Sequence, residues 1–282
     1  MTTVEELFAA RSTGDVDVLC SASPTQTGWR YLTFATLAAK AGATLTLSTR
    51  LSEVAVVPLN GAIDVAVDGQ IHALSRRDVF LDTGSVVYAP PGTTMHIDVR
   101  ADATFAIGGA PADPVYAARY IAPSDVRVEM RGGGAAHRQV GHLLSPPLEA
   151  HRLILYEVHV PRGAWSGWPP HCHDGYLGSP YLEETYYFEF QPANGFAFHR
   201  NFRAVDGLDD TFVATHQSLV TVPAGFHTTA ACPGSHMYFL NFLAGDIEHG
   251  DRRLPPCFDD RYTWIDGHWE DNPMMFPQPG QV

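Results

Sequence analysis

Trp165-Ser166-Gly167-Trp168-Pro169-Pro170-His171-Cys172-His173-Asp174 and, after a polar, glycine-rich interruption, Tyr181-Leu182-Glu183-Glu184-Thr185-Tyr186-Tyr187-Phe188-Glu189-Phe190 are the runs that decide how this chain is read. Side chains at i and i+2 of a β-strand share a face, so His171 and His173 project together while Cys172 points the other way. Two converging imidazoles begin a metal site. A divalent ion needs two or more further ligands, which a carboxylate from the next strand and a more distant histidine would supply. Glu183 and Glu184 compete for the carboxylate position. If Glu184 faces inward so do Tyr186, Phe188 and Phe190, an aromatic set suited to a barrel interior. If Glu183 does, its companions are the more polar Thr185, Tyr187 and Glu189, so parity favours Glu184. His227, just past the turn Pro223-Ala224-Gly225, is the expected last ligand. The spacing therefore predicts a metal set of His171, His173, Glu184 and His227. Cys172 reads as a small outward-facing strand residue rather than a reactive thiol.

Outward from these runs the signals are short strands punctuated by Gly, Pro, Asn and Asp, as in an all-β sandwich or barrel. Strands are predicted over residues 45–51, 54–59, 63–67, 86–89, 96–99, 153–160, 184–190, 197–202, 218–222 and 237–242. Asp68-Gly69 supplies the positive φ angles of a tight hairpin. Helix is expected only at 4–11 and, after Asp113-Pro114, at 113–120. The halves echo one another: Val86-Val87-Tyr88-Ala89-Pro90-Pro91-Gly92 with His96 resembles Leu219-Val220-Thr221-Val222-Pro223-Ala224-Gly225 with His227. Two copies of one β-barrel unit follow, joined by a connector over 110–141. The glycine run after Arg131 reads as a linker turn, since no Gly-Lys-Ser/Thr makes it a phosphate loop. The tail, 246–282, is expected to wrap across the barrels.

The chain has 282 residues, 45% hydrophobic and 17% charged, enough for a substantial core and, at about 150 residues per domain, for two units. A net charge of -13 argues against nucleic-acid partners. Lys40 is the sole lysine, so every other cation is a planar arginine suited to gripping a carboxylate. No secretory signal or membrane span is visible, and the four scattered cysteines lack a disulfide framework, so a cytoplasmic location is expected.

His-x-His, then Glu, then Pro-x-Gly-x-His is the cupin pattern. Over 165–245 the chain resembles the 5-deoxy-glucuronate isomerases of inositol degradation, related to the 5-keto-4-deoxyuronate isomerases. The match is carried by Trp165-Ser166, Pro169-Pro170-His171-x-His173-Asp174, Glu183-Glu184-x-Tyr186-Tyr187, Gly195-Phe196-Ala197-Phe198-His199-Arg200, Val222-Pro223-x-Gly225-x-His227, Tyr238-x-Leu240-Asn241 and Ala244-Gly245. The resemblance implies an all-β bicupin: a metal-free N-terminal barrel with connector over 1–140, and a metal-binding barrel with tail over 141–282. Thr49-Arg50-Leu51-Ser52-Glu53 stands where the N-terminal half would carry His-x-His, and Glu53 and His96 read as relics. The implied activity is an aldose–ketose isomerisation of a deoxy sugar acid, using one divalent ion per chain, Zn or Mn ahead of Fe, Co or Ni. Arg200, then Arg203, is expected to anchor the substrate carboxylate and Tyr186 to contact its oxygens, with His199, Tyr238 and Glu183 as proton carriers. A metal-dependent dioxygenase and a non-catalytic sugar-acid binder are the competing classes. The family commonly has a basic residue at the position of Cys172, and the loop 175–179 also departs, which leaves the substrate less fixed than the fold. A small sugar acid is the expected partner, and self-association into a homo-oligomer stays open.

Overall fold

Runs of β-branched and aromatic residues become strands because a pleated, half-buried surface accommodates their stiff side chains. The computed structural model, which describes residues 3–271 and 274, is accordingly mostly β, with α-helix only at Val4–Phe8 and Pro24–Thr27. None of its helices is long and apolar enough to cross a membrane. A nine-stranded sheet is built from strands between Ala10–Thr13 and Arg119–Ile121. A six-stranded sheet runs in the order Arg127–Arg131, Arg138–Leu144, Ile154–Val160, His236–Gly245, Leu182–Gln191, Leu219–Val222. A five-stranded sheet follows the order Leu208–Thr215, Phe196–Arg203, Phe226–Ala231, Trp165–Cys172, Cys257–Phe258. These last two sheets face each other across Val140, Tyr186, Phe188 and Phe239 on one side and Ala197, Ala214 and Ala231 on the other.

The strand Leu182–Gln191 has no solvent face. Its even-numbered residues, Glu184, Tyr186, Phe188 and Phe190, enter the space between the two C-terminal sheets, while Tyr187 joins Tyr238, Leu240 and Phe242 in a core shared with Phe34, Val57 and Tyr88 of the nine-stranded sheet. Phe242 packs edge-on to Phe34 with ring centroids 5.2 Å apart. Gly108 makes this possible, because a Cβ there would lie 2.3 Å from the Phe242 ring. Within the seam Arg76 and Glu157 pair at 2.7 Å with both side chains at most 2% exposed. The remaining capacity of the pair is met by Arg76 donating to the Asp82 carbonyl at 2.7 Å and Glu157 accepting from Gly84 N at 2.9 Å. Full satisfaction of this kind is what makes a buried ion pair tolerable.

Two further buried carboxylates hold the seam reciprocally. Glu53 accepts backbone N–H groups of His151 at 2.8 Å, Arg152 at 2.6 Å and Leu153 at 2.6 Å, together with the Tyr88 hydroxyl at 2.8 Å. Glu183 accepts Arg30 N at 2.6 Å, Tyr31 N at 2.9 Å and Leu32 N at 2.8 Å. Each half thus reaches across and takes three successive amides of the other.

Where sequence and structure differ, pairing is the reason. Residues 113–120 form no helix, since Arg119–Ile121 adds to Val86–Ala89 as an edge strand. The 54–59 and 63–67 segments are one strand, Ser52–Val67, and 96–99 is part of Thr94–Pro111. The presumed connector contains Arg127–Arg131 and the start of Arg138–Leu144, so the division expected at 140/141 falls inside a strand of the six-stranded sheet. Asp68-Gly69 forms the foreseen hairpin, with φ of 49° and 75°. The first helix ends early, at Ala9 in the left-handed region. The tail's last residues, apart from 274, lie outside the described part.

Removing either latch carboxylate strands buried amides, each worth about 1–3 kcal/mol. Glu53→Ala and Glu183→Ala should therefore each lower unfolding free energy by about 3–5 kcal/mol in urea titrations; a loss below about 1 kcal/mol would refute the latch. Glu189, also on the seam, is 6% exposed, and burial pushes its carboxyl up to about 7 despite the Tyr187 hydroxyl at 3.1 Å. A raised carboxyl stabilises below its unfolded value of 4.5 and the contribution disappears as pH rises to 7. Glu189→Gln should abolish that decline, seen as a flat melting midpoint between those pH values.

Candidate metal centre

The site is assembled by register. Antiparallel pairing sets His171 opposite His227, and Glu184 opposite Val222, the residue that starts the turn into His227. Gly225 makes that turn at φ +85°. Its N–H donates to Asp174 Oδ2 at 2.8 Å, which ties the turn to the residue after His173. Arg203 Nη1 binds the same oxygen at 2.6 Å.

The ligand nitrogens of His171, His173 and His227 lie within 4.8 Å of one another. Glu184 Oε2 completes the cluster at 2.8 Å from His173 Nε2 and 3.3 Å from His227 Nε2. His173 Nδ1 lies 3.0 Å from the Leu182 carbonyl and its Nε2 donates to Glu184 Oε2 at 2.8 Å; burial opposes the ring's charge, but Glu184 raises its pKa above the ordinary value, so a bound ion would take the place of the Nε2 proton. Burial and the neighbouring rings hold His171 well below its ordinary value, so it stays a neutral donor. Burial opposes Glu184 ionisation, yet the hydrogen bond from His173 and the nearby imidazoles of His173 and His227 keep its carboxyl far below the usual range. His227 Nε2 is buried without a hydrogen-bond partner, although it points at the cluster. Three imidazoles, one carboxylate and one orphaned buried nitrogen fit a divalent transition ion.

The structure brings the four predicted ligands together and adds Tyr186, which lines the same pocket of about 370 Å³. His199 is fully buried behind it, between Thr229 Oγ1 at 2.7 Å and Asn201 Oδ1 at 3.0 Å, with its ring held down to about 3 by burial. The other sequence candidates lie elsewhere. Glu183 and Tyr238 sit on seam-facing positions, Glu183 in the amide latch and Tyr238 3.3 Å from Glu157. Arg200 is half-exposed and bidentate to Asp209 at 2.7 and 2.8 Å, while Arg203 braces Asp174.

Arg127, Arg131 and Arg138 from the presumed connector, with His142 just beyond it, line the pocket instead. Arg127 and Arg131 both pair with Glu129. Arg138 has no carboxylate within ion-pair distance among the described residues; it donates only to the Ala136 carbonyl at 3.0 Å. Burial, reinforced by Arg131, pulls its guanidinium down to about 10. The signal that could have found it is the alternation Arg138, Val140, His142 just before the apolar Leu143-Leu144.

The N-terminal half repeats the register without the ligands. Glu53 opposes Ala110 as Glu183 opposes Ala244, and Val54 opposes Ala89 as Glu184 opposes Val222. Ser48 opposes Thr94 as His171 opposes His227. Ser48, Arg50, Val54 and Thr94 therefore occupy the ligand positions. Glu53 is a latch residue rather than a relic ligand, and exposed His96 lies two residues beyond the relevant place, 3.0 Å from Thr46 Oγ1.

The prediction is direct. His227→Ala and His171→Ala should each hold one equivalent of ion less than the unsubstituted chain by elemental analysis while circular dichroism stays that of a folded β protein. Full metal occupancy in either variant would overturn the ligand set.

Comparison with known proteins places this geometry among relatives. A family model described as the KduI/IolB family matches residues 7–265. A 5-deoxy-glucuronate isomerase of Geobacillus kaustophilus (strain HTA426) is 34% identical over 230 residues, covering 80% of this chain and 83% of the relative. One from Geobacillus thermodenitrificans (strain NG80-2) is 33% identical over 255 residues, 89% and 93% of the two chains. Among solved structures, an IolB-like protein from Salmonella typhimurium LT2 superposes with a TM-score of 0.84 at 30% identity, over 90% of this chain and 98% of that one. An oxalate decarboxylase from Lactobacillus farciminis, at 13% identity and a TM-score of 0.58 over 88% of this chain and 89% of its own, shares the cupin fold alone.

Proposed function

This chain belongs to the KduI/IolB family, and from that premise we propose that it is a metal-dependent aldose–ketose isomerase converting 5-deoxy-D-glucuronate to 5-dehydro-2-deoxy-D-gluconate. The observation that carries the reading is Arg138, a largely buried arginine with no carboxylate partner among the described residues, lining one pocket with the histidine–glutamate cluster. An anionic substrate would complete both: its carboxylate pairs with the guanidinium while its carbonyl end lies over the cluster.

When bound, a divalent ion (Zn or Mn is our choice) supplies Lewis-acid stabilisation of charge developing on the carbonyl and adjacent hydroxyl oxygens. His171, His173, Glu184 and His227 hold it. Tyr186 has its phenol raised well above the ordinary value by burial and the nearby Glu184 charge, so it acts as a hydrogen-bond donor to a substrate oxygen rather than as a base. The side chains of Tyr156, Val158 and Phe239 exclude water from the inner wall. Pro255 and Pro256, which precede the tail strand Cys257–Phe258 paired with His171 and Cys172, close the rim.

The test is proton NMR of a panel of uronates and deoxyuronates with the metal-loaded protein. Aldehyde loss with ketose formation and no oxygen uptake is the expected result, whereas oxygen consumption would refute isomerisation. Arg138→Gln should raise KM about 10- to 100-fold, the worth of a charge-assisted pair, with a smaller effect on kcat. Arg200→Ala should leave KM unchanged. The opposite ranking would move the anchor back to Arg200.

A further inference from the structure

The seam between the halves carries a second cluster of metal-ligating groups that the isomerase site does not use. His151, Glu248 and His249 each place one ligand atom within 4.8 Å of the others. His151 is 2% exposed, and its Nε2 is buried without any hydrogen-bond partner. That nitrogen faces Glu248 Oε2 at 3.7 Å and Asp113 Oδ2 at 3.8 Å. Both separations are too long for a hydrogen bond. They approach the roughly 3.4 Å between two ligands that share a tetrahedral ion at about 2.1 Å.

We propose that His151, Glu248 and His249, with Asp113 as the added carboxylate, form a second site for a divalent first-row transition ion of the zinc type. The proposal is independent of the isomerase reading. The side chains are already oriented by neighbours. His249 N donates to the His151 carbonyl at 2.7 Å, and the two rings stand 4.6 Å apart. The Tyr116 hydroxyl lies 2.9 Å from His249 Nδ1, and Arg152 holds the Oε1 side of Glu248, turning Oε2 toward His151. Ligation through His151 Nε2 puts its ring proton on Nδ1 and gives up only the long 3.4 Å contact from Asp113 N. Two imidazoles with carboxylate oxygens form a donor set that favours zinc, cobalt, nickel or iron over calcium and magnesium.

The placement gives the ion a structural task. Asp113 follows the strand Thr94–Pro111 of the nine-stranded sheet, His151 begins the amide run gripped by Glu53, and Glu248 and His249 follow the last long strand, His236–Gly245. One ion would staple three chain segments at the seam, and its binding energy would appear as stability of the folded chain.

The experiment uses the full chain carrying His227→Ala, which disables the isomerase centre, and the same protein with His249→Asn added. Asparagine suits the left-handed backbone at residue 249, φ 50°, and the residue is exposed, so folding is retained. After chelator treatment, zinc content by elemental analysis and the melting midpoint with and without zinc are compared. The expected result is one zinc equivalent more in the His227→Ala protein than in the double variant, with a zinc-dependent rise in midpoint only in the former. Cobalt in place of zinc should give visible absorption that the added substitution removes, and Glu248→Gln should reproduce the loss. Equal zinc content in the two proteins, or an equal midpoint shift, overturns the site.

Discussion

The alternation of side chains along one strand is the constraint from which the rest of this molecule follows. Leu182–Gln191 is covered on both faces, so adjacent residues face unrelated environments: Glu183 enters the seam and takes three backbone amides, while Glu184 enters the C-terminal sandwich and meets His173 and His227. A register slip of one residue would exchange those surroundings. Glu184 would be left facing peptide N–H groups of the other half, and the histidines would face Glu183 or Thr185. The same residue pair therefore fixes both the association of the halves and the position of the cluster. A carboxylate on each side of the strand resists slippage more strongly than apolar packing alone, because a mis-set buried charge costs several kcal/mol, on the order of 3–5.

What could be read from sequence was whatever depends on short-range periodicity. The i, i+2 spacing of His171 and His173, the inward aromatic companions of Glu184, and the Pro-x-Gly turn before His227 each specify a direction, and the structure brings all four side chains to one place. The hairpin at Asp68-Gly69 follows from the same kind of local rule. The proposed anchor, Arg138, could be placed on a strand by its alternation with Val140 and His142, but not over the pocket. Arg200 lies on a strand of the correct barrel but on its outer face, where Asp209 neutralises it. Arg138 belongs to a segment whose glycines, at 132–134, resemble a linker, yet they form the turn between two paired strands. Nothing within ten residues of Arg138 signals that its strand lies beside Ile154–Val160. That pairing is long-range, and long-range pairing decides which side chains reach the pocket.

The seam was the other illegible part. Glu53 and His96 look like remnants of a metal motif because the halves share a repeat, but the repeat is one of register rather than of function. Val54 stands at the position of Glu184, and Thr94 at that of His227. An apolar side chain and a hydroxyl cannot hold a transition ion. Glu53 persists because its partner is backbone: every residue but proline offers an N–H, so the latch asks nothing of the identity of His151, Arg152 or Leu153.

A net charge of -13 appears at odds with an anionic substrate, and local arrangement resolves the conflict. Screening confines the field of surface carboxylates to about 8 Å at physiological salt, so the overall charge governs approach rather than binding. At the pocket itself Arg127 and Arg131 share Glu129, and Arg252 is spent on the carbonyls of Leu153 and Leu148, each at 2.6 Å. Arg138 and the exposed Arg253 are left without a carboxylate partner among the described residues, and Arg138 is the one whose charge burial already works against. A partly desolvated guanidinium pairs more strongly with a carboxylate than an exposed one, because the lower local dielectric strengthens the interaction and less water remains to be displaced. On the proposed assignment, selectivity for a sugar acid over a neutral sugar rests chiefly on Arg138, whose burial is set by the strand Arg138–Leu144, and a neutral ligand would leave that charge unpaired.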